Sequence, residues 1–74
     1  MKLNVVKSSM IHAVGYNDKT RELEVVFKTG RTYVYKGVPA KVFDELMAAE
    51  SKGQFMRAEI LNRYQYREIR SNRG

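Results

Sequence analysis

Residues 22–36 read ELEVVFKTGRTYVYK, and in both halves of this stretch the larger apolar residues recur at every second position, with Val26 and Val34 as apolar exceptions on the other face. Such alternation predicts two strands, and the residues between them suit a tight loop. A two-residue turn would need a positive φ at Thr29, which a β-branched residue resists. A three-residue loop over residues 28–30 needs only a left-handed Gly30, so the stretch predicts a β-hairpin of that type.

The three-residue loop also sets which residues face each other across the hairpin. It pairs Val25 with Tyr33 and Leu23 with Tyr35, and directly paired residues lie on the same face of a sheet. The two tyrosines therefore share a face with the apolar side chains of the first strand. We expect them to belong mainly to the hydrophobic core, with their hydroxyls at its rim. The alternative is that both rings face solvent as a platform on which bases stack.

Upstream of the hairpin, residues 11–16 have the character of a third strand. Residues 17–20 are rich in turn formers and join that strand to the hairpin. Residues 3–7 are a candidate fourth strand. The fold class that we predict is α+β: a three-stranded antiparallel meander, with or without the fourth N-terminal strand, packed against one longer and one shorter C-terminal helix.

Downstream of the single proline, Pro39, the apolar residues recur at helical spacing. This pattern predicts a longer helix from Pro39 to about Ser51 that Gly53 terminates, followed by a shorter helix from Gln54 to about Leu61. No strand is predicted in the segment YQYREIRSNRG that follows. We expect a single domain over residues 1–74 with a flexible basic tail over residues 67–74.

The composition restricts the possible functions. The chain has 74 residues, no cysteine and one histidine, which excludes disulfides, thiolate metal sites and imidazole-rich metal sites. No apolar run is long enough to span a membrane, and the N-terminus lacks the apolar stretch of a signal peptide, so we expect a cytoplasmic protein with no membrane partner. Fourteen Lys and Arg against eight Asp and Glu give a net charge of +6, which attracts polyanions.

Few groups in the sequence are suited to catalysis. His12 stands alone, and Ser8-Ser9 are not part of a nucleophile elbow. The carboxylates of the longer predicted helix form a solvated face rather than a paired acid–base site. No glycine-rich phosphate loop is present. We therefore predict that the protein is not an enzyme and that it has no catalytic residues, no cofactor and no metal site.

The order and spacing of several short motifs resemble those of a known family, the KTSC domain. The matching motifs span about residues 8–66 and are Ser8-Ser9 with Ile11, Val14-Gly15-Tyr16, Leu23, Val25, Phe27, Gly30, Tyr33-x-Tyr35, Val38-Pro39, Phe43, Leu46, Ala49, Ser51, Gly53, Phe55 and Ile60. That family occurs at the C-terminus of some lysyl-tRNA synthetases and as free-standing bacterial and phage proteins. The resemblance implies a domain without an assigned molecular role, for which attachment to a tRNA synthetase suggests RNA binding.

Basic and aromatic residues are interleaved toward the C-terminus. Residues 57–74 hold five arginines and two acids, a local surplus of 5 − 2 = +3. Guanidinium groups contact phosphates while tyrosine rings stack on bases, which suits single-stranded nucleic acid. The alternative is a solvated tail whose arginines neutralise the acidic helix face. The predicted nucleic-acid-binding residues are Arg31, Lys36, Arg57, Arg63, Tyr64, Tyr66 and Arg67.

These observations predict a non-enzymatic nucleic-acid-binding domain, with RNA favoured over DNA through the family resemblance. A second hypothesis is a protein-interaction or homodimerisation module. Its basis is Val26 and Val34, which the predicted register places on the sheet face away from the tyrosines. Under this hypothesis the partner is another protein or a second copy of the chain.

Overall fold

A computed structural model of the chain describes residues 2–69. Five strands form one antiparallel sheet in sequence order, and two helices lie between the fourth and fifth strands in the chain. The strands are β1 (Leu3–Val5), β2 (Ile11–Asn17), β3 (Glu22–Phe27), β4 (Thr32–Tyr35) and β5 (Tyr66–Ile69). The helices are α1 (Ala40–Ala48) and α2 (Lys52–Phe55), and α2 continues into a π-helical turn over Met56–Ile60. The predicted α+β class is confirmed.

The β3–β4 hairpin has the predicted loop and register. Val25 pairs with Tyr33, and the neighbouring pairs follow the same register. Gly30 has a φ of 97°, and its N–H donates to the carbonyl oxygen of Phe27 over 2.9 Å. Glycine adopts this left-handed conformation without the steric cost that a side chain would add. The chemistry of the loop is therefore sufficient to set the register.

The prediction of three or four strands was wrong, because the sheet has five. The N-terminal candidate is indeed a strand, over Leu3–Val5, and it pairs with β2. The strand that the sequence did not predict is β5, which pairs with the outer edge of β4. Both central residues of its YREI sequence are charged, so the apolar alternation is weak. Residues 67–69 of the expected flexible tail lie in this strand, and residues 70–74 lie outside the described part of the chain.

The first helix ends at an earlier residue than the sequence predicted. The backbone is extended at Ala49, with ψ at 139°, and this ends α1. Ser51 then caps α2, because its side-chain oxygen accepts from the N–H of Gln54 over 3.3 Å. Gly53 does not end the first helix but lies inside α2. A Cβ atom there would sit 3.3 Å from the sulfur of Met10, so glycine allows α2 to pack closely on that side chain.

The hydrophobic core lies between the helices and one side of the sheet, which we call the helix face. Its cluster of buried side chains comprises Ile11, Val14, Leu23, Val25, Tyr35, Val38, Leu46, Met56 and Ile60. Tyr35 is only 2% exposed, so the prediction that it belongs to the core is confirmed. Tyr16 ties β2 to the segment after β4. Its ring stacks on Phe43 with centroids 5.0 Å apart, and its hydroxyl donates to the carbonyl oxygen of Val38.

The opposite side of the sheet, which we call the open face, carries a row of side chains across all five strands. The strand register aligns Val5, Ala13, Val26, Thr32 and Ile69 in this row. Because side chains alternate between the faces, the predicted position of Val26 and Val34 away from the tyrosines is correct, but Val34 is only 2% exposed and so is not the exposed surface that was predicted. Val26 itself is half-buried, and Val5, on the edge strand, is 74% exposed.

Candidate nucleic-acid interface

A groove with a volume of about 670 Å³ opens beside the β3–β4 hairpin on the helix face. Its apolar wall combines Phe27 and Tyr33 of the hairpin with Met10, which precedes β2, and Leu61, which follows the π-helical turn. Strand alternation directs Phe27 and Tyr33 to the same face, so the hairpin register forms this wall. The volume lies within the range of about 300–1,000 Å³ that is usual for small-ligand sites.

Aromatic rings from three strands extend this wall to the edge of the sheet. We call Phe27, Tyr33, Tyr35 and Tyr66 the aromatic cluster. The ring of Tyr33 meets Phe27 edge to face at a centroid distance of 5.6 Å and meets Tyr66 edge to face at 5.1 Å. The register places Tyr66 directly opposite Tyr35, which explains why their centroids lie 5.6 Å apart. Tyr33 is half-buried and Tyr66 is 56% exposed, so both present ring surface to solvent.

Three cationic side chains stand around the groove. Lys28 belongs to the hairpin loop, Arg31 follows that loop, and Arg57 comes from the π-helical turn. Among residues 2–69, no carboxylate lies within ion-pair distance of Lys28 or Arg57. Arg31 lies 3.4 Å from a carboxylate oxygen of Glu68. The groove therefore combines an aromatic wall with a mainly positive rim.

Arg57, which lines the groove, belongs to the π-helical turn. The N–H of Leu61 donates to the carbonyl oxygen of Met56 over 2.8 Å, a bond that spans five residues. This turn buries Met56 and Ile60 and leaves Arg57 exposed. A smaller cavity of about 230 Å³ lies on the α2 side and shares Arg57 with the groove. Single π-helical turns inside helices often accompany functional sites.

The structure brings some of the predicted binding residues together at this groove. Arg31 and Arg57 line it, and Tyr66 joins it through its contact with Tyr33. Tyr64, which was predicted to stack on bases, is half-buried and packs against the core.

Three other predicted binding residues lie away from the groove. Arg67 is aligned with Val34 on the open face, and its guanidinium lies 3.7 Å from the carboxylate of Glu22. Arg63 lies 4.0 Å from Glu59 in the same helical region. Lys36 is exposed beyond the end of β4. The two distant arginines are thus partly neutralised by neighbouring carboxylates.

Four residues that contribute to this region were not predicted from the sequence as binding residues. Phe27 was assigned to the core alone, and Lys28 was assigned to the loop alone. Nothing in the sequence indicated that Met10 lies at the groove, because its position depends on the packing of α2. Glu68 was counted only as a negative charge. The signal available for Phe27 and Lys28 was the hairpin register, which places both beside Arg31 and Tyr33.

Burial sets the ionisation of the tyrosines. It raises the pKa of Tyr35 to about 12, with smaller contributions from Tyr33 and Tyr66, and it also raises the pKa of Tyr16. Tyr35 and Tyr16 therefore stay neutral at physiological pH, and their hydroxyls remain hydrogen-bond donors. Within residues 2–69, no three His, Cys, Asp or Glu side chains are grouped so that they could hold a metal ion. No helix in that range is long and apolar enough to cross a membrane.

The comparisons with known proteins identify the family. The model of the KTSC domain matches residues 7–64. The chain belongs to the KTSC domain family. All residues that line the groove of this KTSC domain fall within the matched range, whereas β5 lies beyond it. The resemblance predicted from the sequence is confirmed.

The similarity extends to stand-alone proteins and to a larger enzyme. The crystal structure of a KTSC domain protein from Yersinia pestis superimposes with a TM-score of 0.88 at 38% identity, covering 92% of this chain and 96% of that chain. A protein from Tsukamurella paurometabola is 44% identical over 59 residues, which are 80% of this chain and 88% of that protein. A lysine–tRNA ligase from Nostoc sp. is 35% identical over 63 residues, which are 85% of this chain but only 11% of the ligase.

Proposed function

We propose that this KTSC domain is a non-enzymatic nucleic-acid-binding domain and that RNA is its partner. The observation that carries this proposal is the convergence of the aromatic cluster and three cations, Lys28, Arg31 and Arg57, on a single groove. Cationic side chains contact the phosphates of a nucleic acid, and aromatic rings stack on its bases. Neither contact requires a cofactor, a metal ion or a covalent step.

The shape of the site favours a single strand. Tyr66 lies on the outermost strand of the sheet, and Tyr33 lies between Tyr66 and the groove. Bases in a duplex are stacked on each other, so their faces are not available to side chains. Bases of a single strand or a loop can splay out and stack on such rings. The groove therefore suits unpaired nucleotides.

The proposed preference for RNA over DNA is based on proteins that are similar to this chain. Several lysine–tRNA ligases contain a region similar to most of this domain. The presence of such a region in enzymes named for tRNA supports the proposal by association. The net charge of +6 adds an attraction that does not distinguish RNA from DNA.

A titration at several salt concentrations tests the proposal. A fluorescently labelled U-rich 8-mer RNA is titrated with the protein, and anisotropy gives the dissociation constant between 25 and 200 mM salt (roughly the range over which such contacts weaken). If the three cations each contact a phosphate, the affinity falls by about 2 log units per log unit of salt. A DNA strand of the same length tests the preference for RNA. Absence of binding, or an affinity that is independent of salt, contradicts the proposal.

A second candidate function is supported by the open face. Its row of Val5, Ala13, Val26, Thr32 and Ile69 crosses the whole sheet and contains no charge. Ala13 and Thr32 in this row are buried, whereas Val5 at its end is 74% exposed, and an exposed apolar side chain at a sheet edge is a point on which a second copy or another protein can pack. Sedimentation at increasing protein concentration tests the homodimer form of this function. A Val5→Lys variant should dissociate such a dimer, and a monomer at every concentration rules the homodimer out.

A further inference from the structure

We propose that Arg31 and Glu68 together read the edge of a base stacked in the groove and that they select guanine. This inference rests on the proposed nucleic-acid-binding function and goes beyond it, because it assigns a base preference. It concerns Glu68, a carboxylate that stands beside the aromatic cluster.

The register of the sheet places this pair next to the stacking surface. Glu68 is the direct partner of Tyr33 across β4 and β5, and directly paired residues share a face. Arg31 precedes Tyr33 by two residues and therefore projects from the same face. A polar cavity of about 660 Å³ is lined by Thr29, Gly30, Arg31 and Glu68, and it shares Thr29 and Arg31 with the groove. A base that lies on Tyr33 would thus present two adjoining edges toward the pair, one to each side chain.

The ion pair between Arg31 and Glu68 is weak enough for both side chains to bind a ligand instead of each other. One guanidinium nitrogen of Arg31 lies 3.4 and 3.5 Å from the two carboxylate oxygens of Glu68. Charge-assisted hydrogen bonds usually measure about 2.7–2.9 Å. The two side chains are 62% and 44% exposed, and exposed ion pairs add little stability. Both groups can therefore turn toward a base without a large loss of stability.

Guanine is the base whose edges match both groups. Its O6 and N7 accept hydrogen bonds from an arginine. Its N1–H and N2 amino group are two adjacent donors, which a carboxylate with two oxygens can accept together. Adenine and cytosine each place a single amino donor beside an acceptor, and uracil places one N–H between two carbonyls. None of these three bases satisfies the carboxylate with two adjacent donors.

A set of matched RNA strands tests the preference. Each strand is a U-rich 8-mer whose central position is G, A, C, U or inosine, and anisotropy gives each dissociation constant. We expect the G strand to bind about 5- to 150-fold more tightly than the all-U strand, the range expected for one good bidentate contact to a base. Inosine lacks the N2 amino group and should fall between G and U. Equal affinities for the G and U strands would overturn the inference.

Two variants separate the role of Glu68 from a general effect of charge. Glu68→Gln replaces one acceptor oxygen by a donor, so it should greatly reduce the preference for G, leaving only the part that comes from Arg31, while binding the all-U strand at least as well. Glu59→Gln removes the partner of Arg63 outside the groove and should leave the preference unchanged. A Glu68→Gln variant that keeps the full preference overturns this inference and leaves the proposed function standing. Failure of the wild-type protein to bind any of the strands contradicts both.

Discussion

The ring of Tyr33 meets the ring of Tyr66 edge to face, with centroids 5.1 Å apart, across strands β4 and β5. This contact joins the hairpin to a strand that follows it by some 30 positions in the sequence. It also changes the roles that were predicted for the tyrosines. Tyr35 is buried in the core, Tyr66 is exposed at the sheet edge, and Tyr33 is half-buried in the groove wall.

Replacement of Tyr35 by alanine should destabilise the fold. The side chain is 2% exposed and fills the core between the sheet and the helices, so truncation should lower the free energy of unfolding by about 3–5 kcal/mol. In a domain of this size, such a loss leaves much of the protein unfolded. Urea unfolding followed by circular dichroism measures it. A Tyr35→Ala variant of near wild-type stability would contradict the assignment of this ring to the core.

Replacement of Tyr66 by alanine should affect binding more than folding. The ring is largely exposed and contacts two other rings at the sheet edge, where an aromatic pair adds about 0.5–1.5 kcal/mol. The loss of one stacking ring should weaken binding to single-stranded RNA by about 1–3 kcal/mol. The same anisotropy titration measures this loss. If a folded Tyr66→Ala variant binds as the wild type does, this ring does not stack on bases.

Arg57 and Arg67 form a matched pair for testing the location of the phosphate contacts. Arg57 lines the groove, whereas Arg67 lies on the open face beside Glu22. Arg57→Ala should weaken binding and reduce the salt slope by about 0.7 log units, the value for one contact with a single strand. Arg67→Ala should change the affinity and the salt slope only by the small amount expected for the loss of any single surface charge. Equal effects of the two variants would mean that binding is not centred on the groove.

Alkaline pH should destabilise the domain through Tyr35. Its pKa rises from 10.0 to about 12 on folding, because burial disfavours the phenolate. The folded state thus retains the proton more strongly, so this stabilisation is complete below pH 10 and is lost as the pH rises through 12. The shift of two units corresponds to about 2–3 kcal/mol.

Urea unfolding of the wild type and of Tyr35→Phe between pH 8 and 12 (roughly the range around these pKa values) measures this effect. Phenylalanine keeps the ring but cannot ionise. The stability of the variant should therefore decline less than that of the wild type above pH 10. Parallel declines would show that Tyr35 ionises equally easily in the folded and unfolded states.

Gly15 should be required for the attachment of β1. A Cβ atom at this position would lie 2.6 Å from the carbonyl oxygen of Lys2 and 3.0 Å from a side-chain carbon of Leu3. The β1 backbone would therefore have to move away in a Gly15→Ala variant, at a cost of about 1–3 kcal/mol. Hydrogen exchange should show faster exchange of the β1 amides, with smaller changes in β3.

Gly53→Ala is the matched control for that substitution. Its Cβ atom would meet the flexible side chain of Met10 at 3.3 Å rather than a backbone atom. Alanine is also favoured over glycine inside a helix. The control should thus leave the exchange of the β1 amides unchanged. If both variants lose β1 protection, the effect is not specific to the contact between Gly15 and the N-terminal strand.

The features of the site that could be predicted from the sequence are those set by residues close together in the chain. Hairpin register places Tyr33 and Arg31 on the helix face, and the sequence pattern was enough to derive it. Which of the C-terminal arginines lies at the groove could not be predicted in this way. Arg57 and Arg67 have similar local sequences, with an arginine near aromatic and acidic residues, yet one reaches the groove and the other the opposite side of the sheet.

The amino-acid sequence by itself determined the β3–β4 hairpin, its three-residue loop and the core position of Tyr35, because loop chemistry at Gly30 and the two-residue period of a strand act over a few residues. Tertiary structure alone decided that YREI forms a fifth strand, since its stabilisation comes from backbone pairing with the open edge of β4 rather than from its own apolar pattern. That pairing in turn decided that Tyr66 joins the aromatic cluster and that Arg67 points away from it, because neighbouring residues of a strand project to opposite faces.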